Sequence, residues 1–217
     1  MSTYAVSELV KEVKVLLDRN QETSGLLTPT DTDTLSQSEL IQSKIVDAAR
    51  IILTDAPASM LDGKKFDGLK TAWAESNGAY VGTVYLPTDM IRLLNVKASD
   101  WNRSAEIITE DDDAYKVQCN RFGVRGNPER PIAALVHKSG ERFLELFTSK
   151  SNTATVSLTY VGMPSISEGN IDLPETLKDS IVYMAGYLTC VSLGDTDTAG
   201  FLGVARKLAN IVEPRTS

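Results

Sequence analysis

Apolar residues recur every three to four positions near both ends of this sequence and every second position through its middle. The first period belongs to an amphipathic helix and the second to a half-buried strand, so the chain reads helix, helix, strands, helix, helix. The first helix is expected from Ser7 to Arg19, with Leu9, Val13 and Leu16 on its apolar face and Val10 and Leu17 beside them. Glu8, Lys11, Glu12, Lys14 and Asp18 cover its other face. The second helix carries its own start signal. Ser36-Gln37-Ser38-Glu39 has the form of a capping box, in which the Ser36 hydroxyl accepts from a first-turn amide and Glu39 reaches back to the Ser36 amide. Ile41, Ile45, Ala48 and Ile52 follow at helical spacing, and Pro57 stops the run. A third helix is expected from Leu173-Pro174-Glu175, with Leu177, Ile181, Met184, Leu188 and Val191 on its apolar face and Gly194-Asp195 at its end. A fourth begins near Asp197, with Phe201, Ala205, Leu208 and Val212 facing inward. Gly186, Gly200 and Gly203 weaken these last two helices, a cost that close approach of two backbones would justify.

In the middle, Val156, Leu158 and Tyr160 alternate with Thr155, Ser157 and Thr159. Phe143 and Phe147 alternate with Leu144 and Leu146, and Ile132 to His137 forms another strand. Lys138-Ser139-Gly140-Glu141 between these two is a tight turn, which predicts a hairpin. Tyr80 to Leu86 and Ile91 to Ala98 add two strands around Leu86-Pro87-Thr88-Asp89. No helix long enough for a parallel crossover is visible between these strands, so an antiparallel sheet is expected. The resulting fold class is α+β: a four-helix bundle made of residues 1–78 and 163–217, with an antiparallel β-sheet inserted at 79–162. The polar connector Gln21 to Thr34 reads as a loop that orders on assembly. The stretch Asp62 to Gly78, with Trp73, shows no readable period, whereas Trp101 closes a strand and is expected as a core anchor.

Composition limits the chemistry. The 217 residues hold 22 Lys and Arg against 29 Asp and Glu, a formal charge of −7, which opposes sequence-independent binding to nucleic-acid phosphates. DNA passing such a wall is repelled rather than held. The apolar runs are too short for a bilayer, so no membrane partner is expected. Met1-Ser2-Thr3-Tyr4 has no basic region followed by an apolar core, which points to synthesis and use in a cytoplasm. Cys119 and Cys190 form no Cys-x-x-Cys pair and are expected as reduced packing residues.

No catalytic, cofactor or metal site emerges from the residues. His137 is the single histidine and lies in a strand without a nucleophile elbow elsewhere, so it reads as a surface or half-buried strand residue. Gly123-Val124-Arg125-Gly126-Asn127 lacks the spacing of a phosphate loop. Glu110-Asp111-Asp112-Asp113 is the densest acidic cluster. A metal-dependent hydrolase using Asp111 and Asp113 is the enzymatic alternative, and a negatively charged helix start is the simpler account. Arg121, Arg125 and Arg130 stand out as a basic group in a Gly/Pro-rich loop. Arginine's planar fork suits contacts to carboxylate or phosphate, so they are the candidate interface residues, against a solvated loop held by local ion pairs.

Five stretches carry a likeness to a known family: Ile45-Val46-Asp47-Ala48-Ala49-Arg50, Tyr85-Leu86-Pro87-Thr88-Asp89-Met90-Ile91-Arg92-Leu93, Ser99-Asp100-Trp101, Arg125-Gly126-Asn127-Pro128-Glu129-Arg130-Pro131 and Leu173-Pro174-Glu175-Thr176-Leu177. In this order they resemble the head-to-tail adaptor, or head-completion, proteins of tailed bacteriophages, most closely those of crAss-like and other Bacteroidales gut phages. The resemblance implies a structural virion protein and not an enzyme: a helical bundle with a β insertion, placed at the head-tail junction. Its implied partners are the portal ring, neighbouring copies in a ring of typically twelvefold symmetry, and the tail. DNA would pass through the channel without sequence-specific binding. Another connector or tail-terminator ring protein is the alternative within the virion.

Overall fold

The computed structural model describes residues 1–17, 36–69, 71–120, 124–138, 140–194 and 198–212. The Gln21–Thr34 connector, Arg121, Ser139, Asp195, Asp197 and Val212's successors from Glu213 lie outside the described residues. The chain divides into two compact units, Met1–Asp62 with Met163–Ser217, and Gly63–Gly162.

The expected four-helix bundle with one inserted sheet is not what the chain forms. It is an α+β protein rich in sheet, with five helices, eleven strands and three sheets among the described residues. In chain order these begin with β1 (Ser2–Ala5), α1 (Val6–Leu16) and α2 (Gln37–Asp55). Next come β2 (Lys64–Leu69), β3 (Ala72–Ser76), β4 (Ala79–Tyr85), β5 (Met90–Ala98), β6 (Glu106–Thr109) and α3 (Asp113–Cys119). The chain continues with β7 (Ile132–Lys138), β8 (Glu141–Ser149), β9 (Val156–Gly162), β10 (Ile166–Ser167), β11 (Asn170–Leu173), α4 (Lys178–Leu193) and α5 (Ala199–Leu208). The stretch Asp62 to Gly78, grouped above with the helices, supplies β2 and β3 of the second unit. It shows no alternation because β2 has every residue from Lys64 to Gly68 exposed, so no apolar period exists to be read.

In the first unit, the helices share space with a small sheet of order β1-β11-β10. Ser2 pairs with Leu173 and Ala5 with Asn170, while Glu168 and Gly169, both at positive φ, turn β10 back onto β11. The Ser36 capping box forms: the Ser36 amide donates to Glu39 Oε2 at 2.7 Å, and the Glu39 amide donates to Ser36 Oγ at 3.3 Å. Ile41, Ile45, Ala48 and Ile52 are all buried, and Ala56 ends α2 in an extended conformation before Pro57. α4 packs against α1, α2 and α5. Surrounded in this way, it buries Ser180, Val182, Gly186 and Thr189 as well as Ile181 and Met184, and so loses a clean apolar stripe. Val191 and Leu208, expected inside, are 50% and 41% exposed. The glycines divide. A Cβ on Gly186 would lie 3.0 Å from Leu16 Cδ2, a side-chain tip and not the second backbone expected, whereas one on Gly200 or Gly203 would meet nothing within 4 Å. Lys178 Nζ at the start of α4 reaches Glu12 Oε1 at 2.5 Å and lies 5.8 Å from the centre of the Tyr4 ring. The hydrogen bond to Glu12 holds its ammonium above the ordinary lysine range.

In the second unit, a three-stranded sheet, β2-β9-β5, shares a core with a five-stranded sheet, β3-β4-β8-β7-β6. Val96, Val156 and Leu158 from the first meet Val84, Ala133, Leu144 and Leu146 from the second, with Trp101 beside them. Trp101 is 2% exposed, the core anchor its position predicted. The β7–β8 hairpin forms in the expected register, with Lys138 opposite Glu141 and Gly140 at φ 84°. The expectation of purely antiparallel pairing fails at one place. β6 and β7 run parallel, Glu106 opposite Ile132 and Thr109 opposite Leu135. The short α3 lies in the connection between them, and that connection is long enough for a crossover even though its helix is not.

Candidate functional site

The β6–β7 crossover brings the arginine loop to one end of the sheet and leaves the acidic turn at the other. Because the two strands are parallel, the loop enters β7 opposite the start of β6, and the acidic turn leaves β6 beyond Leu135. Glu110 Oε2 accepts from the His137 amide at 3.2 Å, which fixes that far corner. His137 has its side chain 56% exposed, a surface strand residue.

The described part of the loop is held by buried polar contacts, and no ion pair among the described residues includes it. Gln118, 3% exposed at the end of α3, accepts the Gly126 amide at 2.7 Å. Thr148 Oγ1 donates to the Gly126 carbonyl at 2.8 Å, and Trp101 Nε1 donates to the Thr148 carbonyl at 3.0 Å. A Cβ on Gly126 would lie 2.6 Å from the Phe147 carbonyl oxygen, so only glycine lets the loop lie this close to β8. Past it, Asn127 Oδ1 accepts from the amides of Glu129 and Arg130, each at 3.0 Å, closing an Asx turn. The Asn102 amide donates to the Pro128 carbonyl at 3.0 Å, and Asn102 Nδ2 donates to Glu129 Oε1 at 2.5 Å.

The three candidate arginines separate. Arg121 lies outside the described residues. Arg130 is exposed, and its backbone closes the turn. Arg125 is half-buried: its Nη1 donates to Ser76 Oγ at 2.7 Å, and its buried Nε has no acceptor among the described residues. Ser76 ends β3, where Asn77 and Gly78, at φ 57° and 78°, turn the chain into β4. Nothing in the sequence pairs Ser76 with Arg125, and Gln118 and Thr148 carry no motif. The Gly-Asn-Pro step was the readable part.

The acidic turn is not a convergent site. Asp112 Oδ2 accepts from the Thr109 amide at 2.7 Å and from Thr109 Oγ1 at 3.0 Å, contacts that hold its carboxyl below the usual range. Asp113 starts α3 with its side chain 95% exposed and pairs with Lys116 at 2.7 Å. Asp111 is exposed with no partner among the described residues. Among those residues no group of three His, Cys, Asp or Glu side chains is placed to hold a metal ion. Tyr115 of α3 donates to Glu145 Oε2 at 3.0 Å; burial first, then its contacts with Cys119 and Glu145, push its phenol well above the ordinary range. Cys119 itself is exposed, contrary to its expected packing role, while Cys190 is buried.

In the first unit, a cavity of about 190 Å³ lies among α2, α4 and α5, with Ile51, Met184, Leu188 and Leu202 on its walls and Asp55 and Arg206 beside them. Among the described residues no helix is long and apolar enough to cross a membrane. No protein-family model matches this chain, and no curated protein matches it.

Proposed function

We propose that this chain is a structural virion protein of a tailed bacteriophage, a head-to-tail adaptor. In this reading copies of it form a ring under the portal at the head-tail junction, extend the DNA channel and offer the tail a docking surface. What supports the reading is the ordered set of five motif stretches, above all Leu86-Pro87-Thr88-Asp89 followed by Met90-Ile91-Arg92.

Four of these stretches fall at the ends of elements, while Ile45–Arg50 lies inside α2. Asp89 accepts from Lys64 Nζ at 3.1 Å and from Tyr160 Oη at 3.2 Å, pinning the β4–β5 turn to β2 and β9. Trp101 anchors the core, Arg125–Pro131 forms the locked loop, and Leu173–Leu177 carries β11 into α4 through a 3₁₀ turn. The acidic charge of −7 fits a channel wall that DNA passes without sticking.

The test is assembly. Sedimentation and negative-stain electron microscopy of the chain, alone and mixed with the portal ring of the phage that encodes it, should show a closed ring on the portal. A chain that stays monomeric and never co-sediments with portal refutes the proposal.

A further inference from the structure

α3 has little to hold it down. It spans seven residues, too few for a helix to be stable on its own. Asp112, at its start, turns back to the Thr109 amide and hydroxyl and makes no capping bond. Gln118 is its one buried residue; Asp113, Ala114, Lys116, Val117 and Cys119 are exposed, and Tyr115 is half-buried. Two side chains fasten it, each to a different structure. Tyr115 packs against the cluster of Ile108, Ala134, Val136 and Phe147 and donates to Glu145 Oε2 of β8 at 3.0 Å. Gln118 Oε1 accepts the Gly126 amide of the arginine loop at 2.7 Å. The first contact ties the helix to the sheet, and the second ties the loop to the helix.

A helix with so few buried contacts opens locally, before the sheet beneath it unfolds. When it opens, Gln118 leaves with it and the Gly126 amide loses its acceptor. The Gly126 carbonyl keeps its own bond, because that donor, Thr148 Oγ1, belongs to β8. One side of Gly126 is therefore held by a strand paired on both edges, and the other by a helix that can lift.

We propose that α3 is a latch for the arginine loop. Seated, it holds Gly126, and Arg125 beside it, against β8; lifted, it releases the amide side of that step while the sheet stays folded. Tyr115 is the catch and Gln118 the link, so the placement of Arg125, a candidate interface residue, depends on a helix contact on the outer face of the sheet. Coupling between two sites is reciprocal, so a contact that fixes the Gly126 amide on Gln118 also seats α3. The inference goes beyond the ring reading and holds whether or not the chain assembles on a portal.

Amide exchange followed by NMR on the full chain tests it. In the wild type, Gly126 and the Gln118 backbone amide inside α3 should exchange through one opening, with protection equal to within about threefold. Low urea should not change either rate, because the opening exposes little surface. Leu158, in the central strand β9, should be at least about a hundredfold better protected. Tyr115→Phe keeps the ring in its cluster and removes the bond to Glu145, and should speed exchange at both amides by about tenfold. Glu145→Gln leaves a neutral acceptor and should give a smaller rise, again by one factor at both. If Tyr115→Phe speeds Gln118 and leaves Gly126 as it was, the link is wrong. If it speeds neither, Tyr115 is not the catch. If wild-type Gly126 is as protected as Leu158 and urea accelerates it, the opening is global and α3 is no latch. That last comparison needs only the wild type, so it decides the proposal even where a variant does not fold.

Discussion

Replacing Gly126 by Ala should unfold the second unit at markedly lower denaturant and release the arginine loop. The added Cβ would lie 2.6 Å from the Phe147 carbonyl oxygen, 3.0 Å from the Ile132 amide nitrogen and 3.1 Å from Ile132 Cβ. The nearest two of these atoms are backbone, and β8 is paired on both sides, to β4 and to β7, so the sheet cannot yield. The loop must therefore move out by several tenths of an ångström. That strains or breaks the Gly126 amide bond to Gln118 and the Thr148 bond to the Gly126 carbonyl. Overpacking of this kind costs roughly 1–3 kcal/mol. Leaving a buried polar group unpaired costs roughly 1–3 kcal/mol more. Partial relaxation of the exposed half of the loop puts the sum at about 3 kcal/mol. Both tryptophans, Trp73 and Trp101, belong to the second unit, so their fluorescence follows its unfolding selectively. With a urea slope of about 1.5 kcal/mol per molar, the midpoint should fall by about 2 M. A midpoint within about 0.3 M of the wild type would mean that the loop tolerates a side chain here, and the claim that it is locked would be wrong.

Trp101→Phe removes the bond from Nε1 to the Thr148 carbonyl and leaves that buried oxygen unpaired, so the second unit should lose about 2 kcal/mol in urea melts. Gly203→Ala in α5 should raise the stability of the first unit by about 1 kcal/mol, because a Cβ there meets nothing within 4 Å; a lower thermal midpoint would contradict the open space. Ser36→Ala removes the hydroxyl half of the α2 cap and should cost about 1 kcal/mol, read as faster amide exchange in the first turn of α2. Glu39 supplies the other half and adds a pH dependence. The Ser36 amide and hydroxyl hold its folded pKa below the ordinary carboxylate value. Its contribution is therefore present above the unfolded pKa and is lost as pH falls through the folded one. First-turn exchange protection should drop on acidification in the wild type and lose that dependence in Glu39→Gln.

Several local signals were legible in the sequence, though the Asn77-Gly78 turn that closes the β3–β4 hairpin was missed. The capping box, the buried face Ile41–Ile52, the stop at Pro57 and the Ile132–Phe147 hairpin each follow from residues within a few positions of one another, and each forms. Around the candidate site, the Gly126-Asn127-Pro128 step and its arginines were legible for the same reason. Gln118, Ser76 and Thr148 were not, because their roles rest on partners 8, 49 and 22 positions away.

Periodicity states which face of an element is buried, not what it is buried against. Tertiary structure alone pairs β1 with β11 across the length of the chain and sets β9 between β2 and β5. It also runs β6 parallel to β7 and turns the supposed bundle into helices that share their unit with a sheet. Such pairings depend on hydrogen bonds between distant backbones, which leave no mark on the side-chain sequence, and edge strands such as β2, exposed along almost their whole length, leave no apolar period at all. The sequence determined where helices begin and which residues seek a core. Long-range pairing decided which strands share a sheet and brought Arg125 to Ser76, 49 positions away.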